Sequence, residues 1–268
     1  MPFFNRTPLL RQDLFKTLLA LALLLPLAGR GDPAADVRTA ASALATTSYT
    51  WETTAPQRVN GDPAAFQPNP NAPLAMQGKV APNAYMEITL LPARDTVPVP
   101  VTAVFHAGDV VGLTPLGWQR RTEMRTSPGP DRTIDFQGKP VRLSQALKVA
   151  LRVTALRPLT EELFDLIDDC KSFRSESGLV IAELREAPIE KLWGDPQAKR
   201  APEIQGTVIF KLSDAGISEY HFVLAIGFPN SRTKQTAWSI KQWSTRIKAI
   251  GSTTVDPPAA AVKRLDEE

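Results

Sequence analysis

Side chains able to do chemistry are few and scattered along this chain. Histidine occurs twice, at His106 and His221, and cysteine once, at Cys170. His106 falls in a turn, 106–109, and His221 on the polar parity of a strand; neither has a second histidine or a cysteine at metal-ligand spacing. A serine hydrolase would need one of these histidines and a G-x-S-x-G elbow, and the sequence lacks the elbow. The neighbours Asp168 and Asp169 point about 100° apart on a helix, a poor acid–base couple, and read as a solvated helix end. Arg120, Arg121 and Arg125 have two readings: a grip on an anionic head group, or a strand end whose arginine stems cover apolar surface. Cys170 falls on the apolar face of a helix and reads as core packing. No glycine-rich phosphate loop is present, so these residues predict no catalytic centre, no metal and no cofactor.

The remaining resource is apolar surface, with five tryptophans and eleven phenylalanines to place. Between Ile217 and Phe228, Tyr220, Phe222, Leu224, Ile226 and Phe228 share one parity, which predicts a long strand with one dense apolar face. Val208, Phe210 and Leu212 do the same just upstream, and Ser213-Asp214-Ala215-Gly216 supplies a hairpin turn. Over 236–250, Trp238 and Ile240 are even while Trp243, Ile247 and Ala249 are odd, which predicts a β-bulge near Gln242. Phe222, Leu224, Ile226, Phe228, Trp238 and Ile240 are then the expected ligand-binding wall of a curved sheet. Either helices fill the space in front of that wall, or they leave a cavity for a lipid-like ligand.

The elements that would position this wall run along the whole chain. Asp32-Pro33 starts a helix carrying Val37, Ala40, Ala41 and Leu44 on one face, and 48–54 reads as a strand. Residues 56–73 hold five prolines and predict a long irregular loop. A hairpin follows over 74–90, then a strand over 97–105 whose Pro98 and Pro100 mark an edge or a strand start. Leu143, Leu147, Ala150 and Leu151 have helical spacing, and Thr160 is the expected cap of a second helix bearing Glu161, Glu162, Leu163, Phe164 and Ile167. A strand over 178–184 and a helical turn over 187–193 complete the set. The expected fold is α+β: a single domain, residues 32–268, built as a curved antiparallel half-barrel sheet with helices covering its concave face.

The N-terminus reads as an export signal. Arg6, Arg11 and Lys16 precede the uncharged apolar run 17–28, too short to span a bilayer and suited to a signal peptide cleaved near Gly31; an uncleaved anchor is the alternative. Leu27-Ala28-Gly29 opens a lipobox, but Arg30 stands where the lipidated cysteine would be. Residues 1–31 hold four basic residues and one acidic, so without them the 31 basic and 28 acidic residues become 27 of each. A neutral mature chain gives no electrostatic case for nucleic acid, and one cysteine makes no internal disulfide. The expected product is a periplasmic or secreted protein that touches membranes only transiently.

Gly206-Thr207-Val208, Phe210, Asp214-Ala215-Gly216-Ile217 and Tyr220, followed by Ile247, Ile250-Gly251-Ser252-Thr253-Thr254-Val255, Pro258 and Ala261, resemble the C-terminal half of a family of exported bacterial proteins. That family is similar in architecture to the LolA/LolB half-barrels and the mycobacterial LppX and LprG lipoproteins. The resemblance implies a curved antiparallel sheet with helices in its mouth that carries acyl chains. Its motifs are strand and turn signatures, so it assigns no functional residue. Two functions are expected from different classes. One is a non-catalytic carrier of a hydrophobic or lipid-like ligand; the other is a cell-envelope interaction module with a filled core and a protein partner.

Overall fold

The computed structural model describes residues 31–61, 63, 72–92, 97–126, 131–194, 196, 198–230 and 235–267. The export signal expected over 1–31 lies outside them, Gly31 apart, as do residues 62 and 64–71 of the expected proline-rich loop.

The first helix, α1 (Pro33–Ala45), begins as its sequence dictates: the Asp32 carboxylate accepts from the Ala34 N–H at 3.0 Å, and Pro33 fills the first helical position. Seven strands follow: β1 (Tyr49–Thr54), β2 (Gln57–Asn60), β3 (Leu74–Val80), β4 (Met86–Leu90), β5 (Val101–His106), β6 (Asp109–Thr114) and β7 (Gly117–Arg120). Pro98 and Pro100 precede β5, so neither costs the ladder a donor. A short helix, α2 (Arg121–Thr126), and a separate hairpin, β8 (Thr133–Phe136) and β9 (Lys139–Arg142), lead into α3 (Leu143–Val153) and α4 (Leu159–Asp169). Then come β10 (Cys170–Glu176), β11 (Leu179–Leu184), α5 (Glu186–Trp193), β12 (Glu203–Ser213), β13 (Gly216–Pro229), β14 (Thr236–Lys248) and α6 (Ala259–Asp266).

Twelve strands form one antiparallel sheet in the order β10-β11-β12-β13-β14-β1-β3-β4-β5-β6-β7, with β2 also paired to β14. The sheet is curved and does not close, leaving β7 and β10 as its edges. This is the expected α+β architecture. Helices α1, α3, α4 and α5 pack on one face, where Val37, Leu44, Leu147, Leu163, Ile167, Ile189 and Trp193 join Phe210, Phe222, Leu224 and Ile226 in one core. Helix α6 lies on the other face, where Ala261 and Leu265 pack on Val104 and Val111. Among the described residues no helix is long and apolar enough to cross a membrane.

Four expectations need correction. Strands β13 and β14 pair without a break from Glu219↔Arg246 to Pro229↔Thr236, so no bulge stands at Gln242. Apolar residues occupy both parities of β14 because both faces of this central strand are covered. Residues 57–60 form a strand, not a loop: β1 pairs with β14 only at 245–248, and β2 takes up its backbone groups at 239–242. Helix α4 is preceded by Pro158 as its N-cap, and Thr160 is inside it. Cys170 follows that helix as the first residue of β10, buried, with its Sγ donating to the Leu166 carbonyl at 3.2 Å.

Candidate functional site

The expected six-residue wall is split by the sheet. Side chains directly opposite one another in an antiparallel pair share a face. Phe222 faces Trp243 and Leu224 faces Lys241, whereas Ala225 faces Ile240 and Gly227 faces Trp238. Phe222, Leu224, Ile226 and Phe228 therefore point toward the helices, while Trp238 and Ile240 pack with Val223 and Ala225 on the opposite face. A bulge at Gln242 would have rotated them together; the unbroken register does not.

On the helix side the sheet divides again. Leu224 and Ile226 are fully buried where α5 crosses, and Gly206, the neighbour of Leu224, has room for no side chain because Ile189 lies 2.6 Å from where its Cβ would be. At the α5 C-terminus, Lys241 Nζ donates to the Leu192 and Trp193 carbonyls, each at 2.9 Å. That region is packed core. Next to it, a cavity of about 370 Å³ opens between β1, β3, β13 and β14 below and α4 and α5 above.

The floor of the cavity consists of two adjacent rows of cross-strand neighbours. Met76, Thr53, Thr245 and Tyr220 stand side by side across four strands, and Trp243 and Phe222 form the next row. The two threonines in the middle are short, so the helices resting on the larger side chains around them do not reach the sheet there. Thr53 and Thr245 join hydroxyls at 2.8 Å, and Tyr220 hydrogen-bonds to Thr245, giving a row of hydroxyls that runs from half-buried Thr53 to buried Tyr220. The roof comes from α4, where Leu159, Glu162, Leu166 and Asp169 recur at helical spacing on one face, and from Leu192 of α5.

Charge gathers at the mouth. Arg157 donates to Glu161 at 3.0 Å and to Asp165 at 2.5 Å, so its guanidinium is committed. Glu162 and Asp169 make no side-chain hydrogen bond or ion pair among the described residues, and Lys191 stands exposed across the opening. Glu162 keeps a surface open to solvent but projects into a concavity walled by protein. The lost hydration raises its carboxyl above the ordinary carboxylate value, partly offset by the charge of Arg157. Beneath it, burial pushes the Tyr49 hydroxyl, which faces Thr160, up to about 12. Burial also raises that of Tyr220, against the lowering effect of its Thr245 hydrogen bond.

The other candidate residues are engaged elsewhere. His106 stacks on Tyr85 with centroids 4.5 Å apart and donates from Nδ1 to the Ala84 carbonyl at 2.6 Å. It borders a larger hollow of about 810 Å³ among hairpin tips, open to solvent and lined by more polar surface. His221 is buried on the far face of β13, five strands away from β5, about 24 Å along the sheet, so the two histidines belong to separate regions. Arg120 caps the end of α6 by donating to the Arg264, Leu265 and Glu267 carbonyls, and Arg264 pairs with Glu123. Asp168 pairs with Arg38 at 2.7 Å, and burial pushes the Cys170 thiol up to about 12, which disfavours the thiolate. Strand parity in the sequence places Tyr220 on the face of Phe222, but Thr53, Thr245 and Glu162 carry no signal until the register sets them together.

No family model matches the chain, and no curated protein matches it. One solved structure, described as lipid-protein interactions in lipovitellin, aligns with 81% of this chain and 26% of its own at 10% identity and a TM-score of 0.28. The chain therefore spans about a quarter of that protein's length, and a score this low does not establish a shared fold.

Proposed function

We propose that this chain is a non-catalytic binder of a small hydrophobic or lipid-like amphiphile, held between the sheet and helices α4 and α5. One observation carries the reading. Between the sheet and helices α4 and α5, a cleft of about 370 Å³ stands open beside Phe222, Trp243, Met76 and Leu166, with hydroxyls on its floor and carboxylates on its roof. Pockets of this size with a mostly apolar wall and a few polar groups are what small amphiphiles occupy. The basic segment and apolar run before Gly31 support a periplasmic or secreted location, and the resemblance to half-barrel carriers supports the same use of the fold.

Native mass spectrometry of the protein purified from its own cells tests this. The reading expects a non-covalent adduct of one small amphiphile per chain, released on denaturation. A bare chain that also takes up no added amphiphile contradicts it. A bare chain bound to another protein would favour the envelope module instead.

A further inference from the structure

We infer that the ligand of this cavity carries a cationic head group, an alkylamine-like ammonium on an apolar body. The inference rests on the cavity being the binding site, and names the class of molecule it selects.

Two features of the cavity set the sign. The first is the imbalance at the mouth: Glu162, Asp165 and Asp169 meet Arg157 and Lys191, and Arg157 is already held by Glu161 and Asp165. An incoming anion finds its strongest candidate donor occupied. An incoming ammonium finds Glu162 and Asp169 with no hydrogen bond or ion pair among the described residues. The second is the floor beneath Glu162, where the hydroxyls of half-buried Thr53 and buried Thr245 and Tyr220 form one row. Hydroxyls can rotate to present lone pairs, so N–H donors entering here meet acceptors from the sheet as well as from the carboxylates.

The aromatic pair contributes apolar wall and leaves charge recognition to the carboxylates. The Trp243 ring already meets Phe222, stacked at 4.4 Å, and Lys241 Nζ, 5.6 Å from its centroid. Glu162 is thus the main determinant. A carboxylate stripped of part of its water and given no cation of its own in contact gains more from a ligand ammonium than a fully hydrated one does. Its raised proton affinity points the same way: proton and ammonium compete for one partly desolvated anion.

The test compares decylamine, decanol and decanoate, equal in chain and differing in charge, by calorimetric titration of the full protein below their aggregation concentrations. Decylamine is expected to bind tightest, by about two- to five-fold over decanol, the gain of a part-exposed ion pair, with decanoate weakest. In Glu162→Gln the decylamine-to-decanol ratio is expected to collapse toward one, with the fold checked by circular dichroism. Lowering pH toward the Glu162 titration should weaken decylamine alone. Decanol or decanoate binding the wild type as well as decylamine overturns the head-group assignment and leaves the cavity standing. No binding of any of the three overturns the cavity reading itself.

Discussion

The ring of Phe222 stacks on the indole of Trp243, centroids 4.4 Å apart and planes 16° from parallel, and together they wall one side of the cavity. Two residues along the same strand, Leu224 is sealed beneath α5. The same face of one strand thus passes from cavity wall to packed core.

This contrast predicts unequal costs of truncation. Leu224→Ala should lose about 2–5 kcal/mol, the transfer and cavity terms of a filled site. Phe222→Ala merges its vacated space with a hollow already present, and should lose about 1–2 kcal/mol, below the ~3–5 kcal/mol of a phenylalanine in a closed core. Urea melts of both variants in the ligand-free state measure the difference. Equal, core-sized losses would mean that the cavity is closed in solution.

Glu162 gives a pH-dependent prediction. Its folded carboxyl sits above the unfolded value of 4.5, so the folded state binds the proton more tightly. That contribution to stability is complete below 4.5 and lost as pH rises through the raised folded value. Near neutral pH the ionised side chain is therefore a net burden, and Glu162→Gln should raise the unfolding midpoint there while changing it little in acid. A variant that gains equally at both pH values would show that the effect is not electrostatic.

His221 titrates with the opposite consequence. Burial lowers its folded value below the ordinary 6.5, against the raising effect of Glu219. The unfolded chain then takes up protons first, so the stability from neutral His221 is present above 6.5 and is lost as pH falls toward the lowered folded value. Thermal melts across that window should show a slope that His221→Gln flattens. An unchanged slope assigns the titration to another group.

Gly78 tests the packing between β1 and β3. It pairs directly with Trp51, whose indole lies 2.5 Å from where a Cβ at Gly78 would stand. Trp51 is 2% exposed. Gly78→Ala should therefore destabilise by about 1–3 kcal/mol, an overpacking cost. A neutral result would mean that the indole lies elsewhere.

Much of this fold could be read from periodicity. The hairpins 74–90 and 207–228, the helices around Leu147 and Leu163, and the apolar parity through Phe222 are all where the sequence places them. Legibility failed where both faces of a strand are covered. In β14, Trp238 and Ile240 satisfy one face and Trp243 and Ile247 the other, so alternation no longer says which residues share a wall. The cavity itself was illegible because short residues create it. Thr53 and Thr245 are unremarkable until register sets them side by side, 192 positions apart, under a helix face bearing Glu162.

The most direct test of the account fills the cavity. Met76 lines it from β3 and is only partly buried, so Met76→Trp places an indole into the open volume at little cost to the fold. N-phenylnaphthylamine, a neutral fluorescent probe, carries no assumption about head-group charge. Titrated into the wild type, it should show saturable binding at one site per chain; in Met76→Trp that signal should fall by about ten-fold or more, with a melting temperature equal to or above that of the wild type. No saturable binding to the wild type, or binding that survives the filled cavity, would contradict the account.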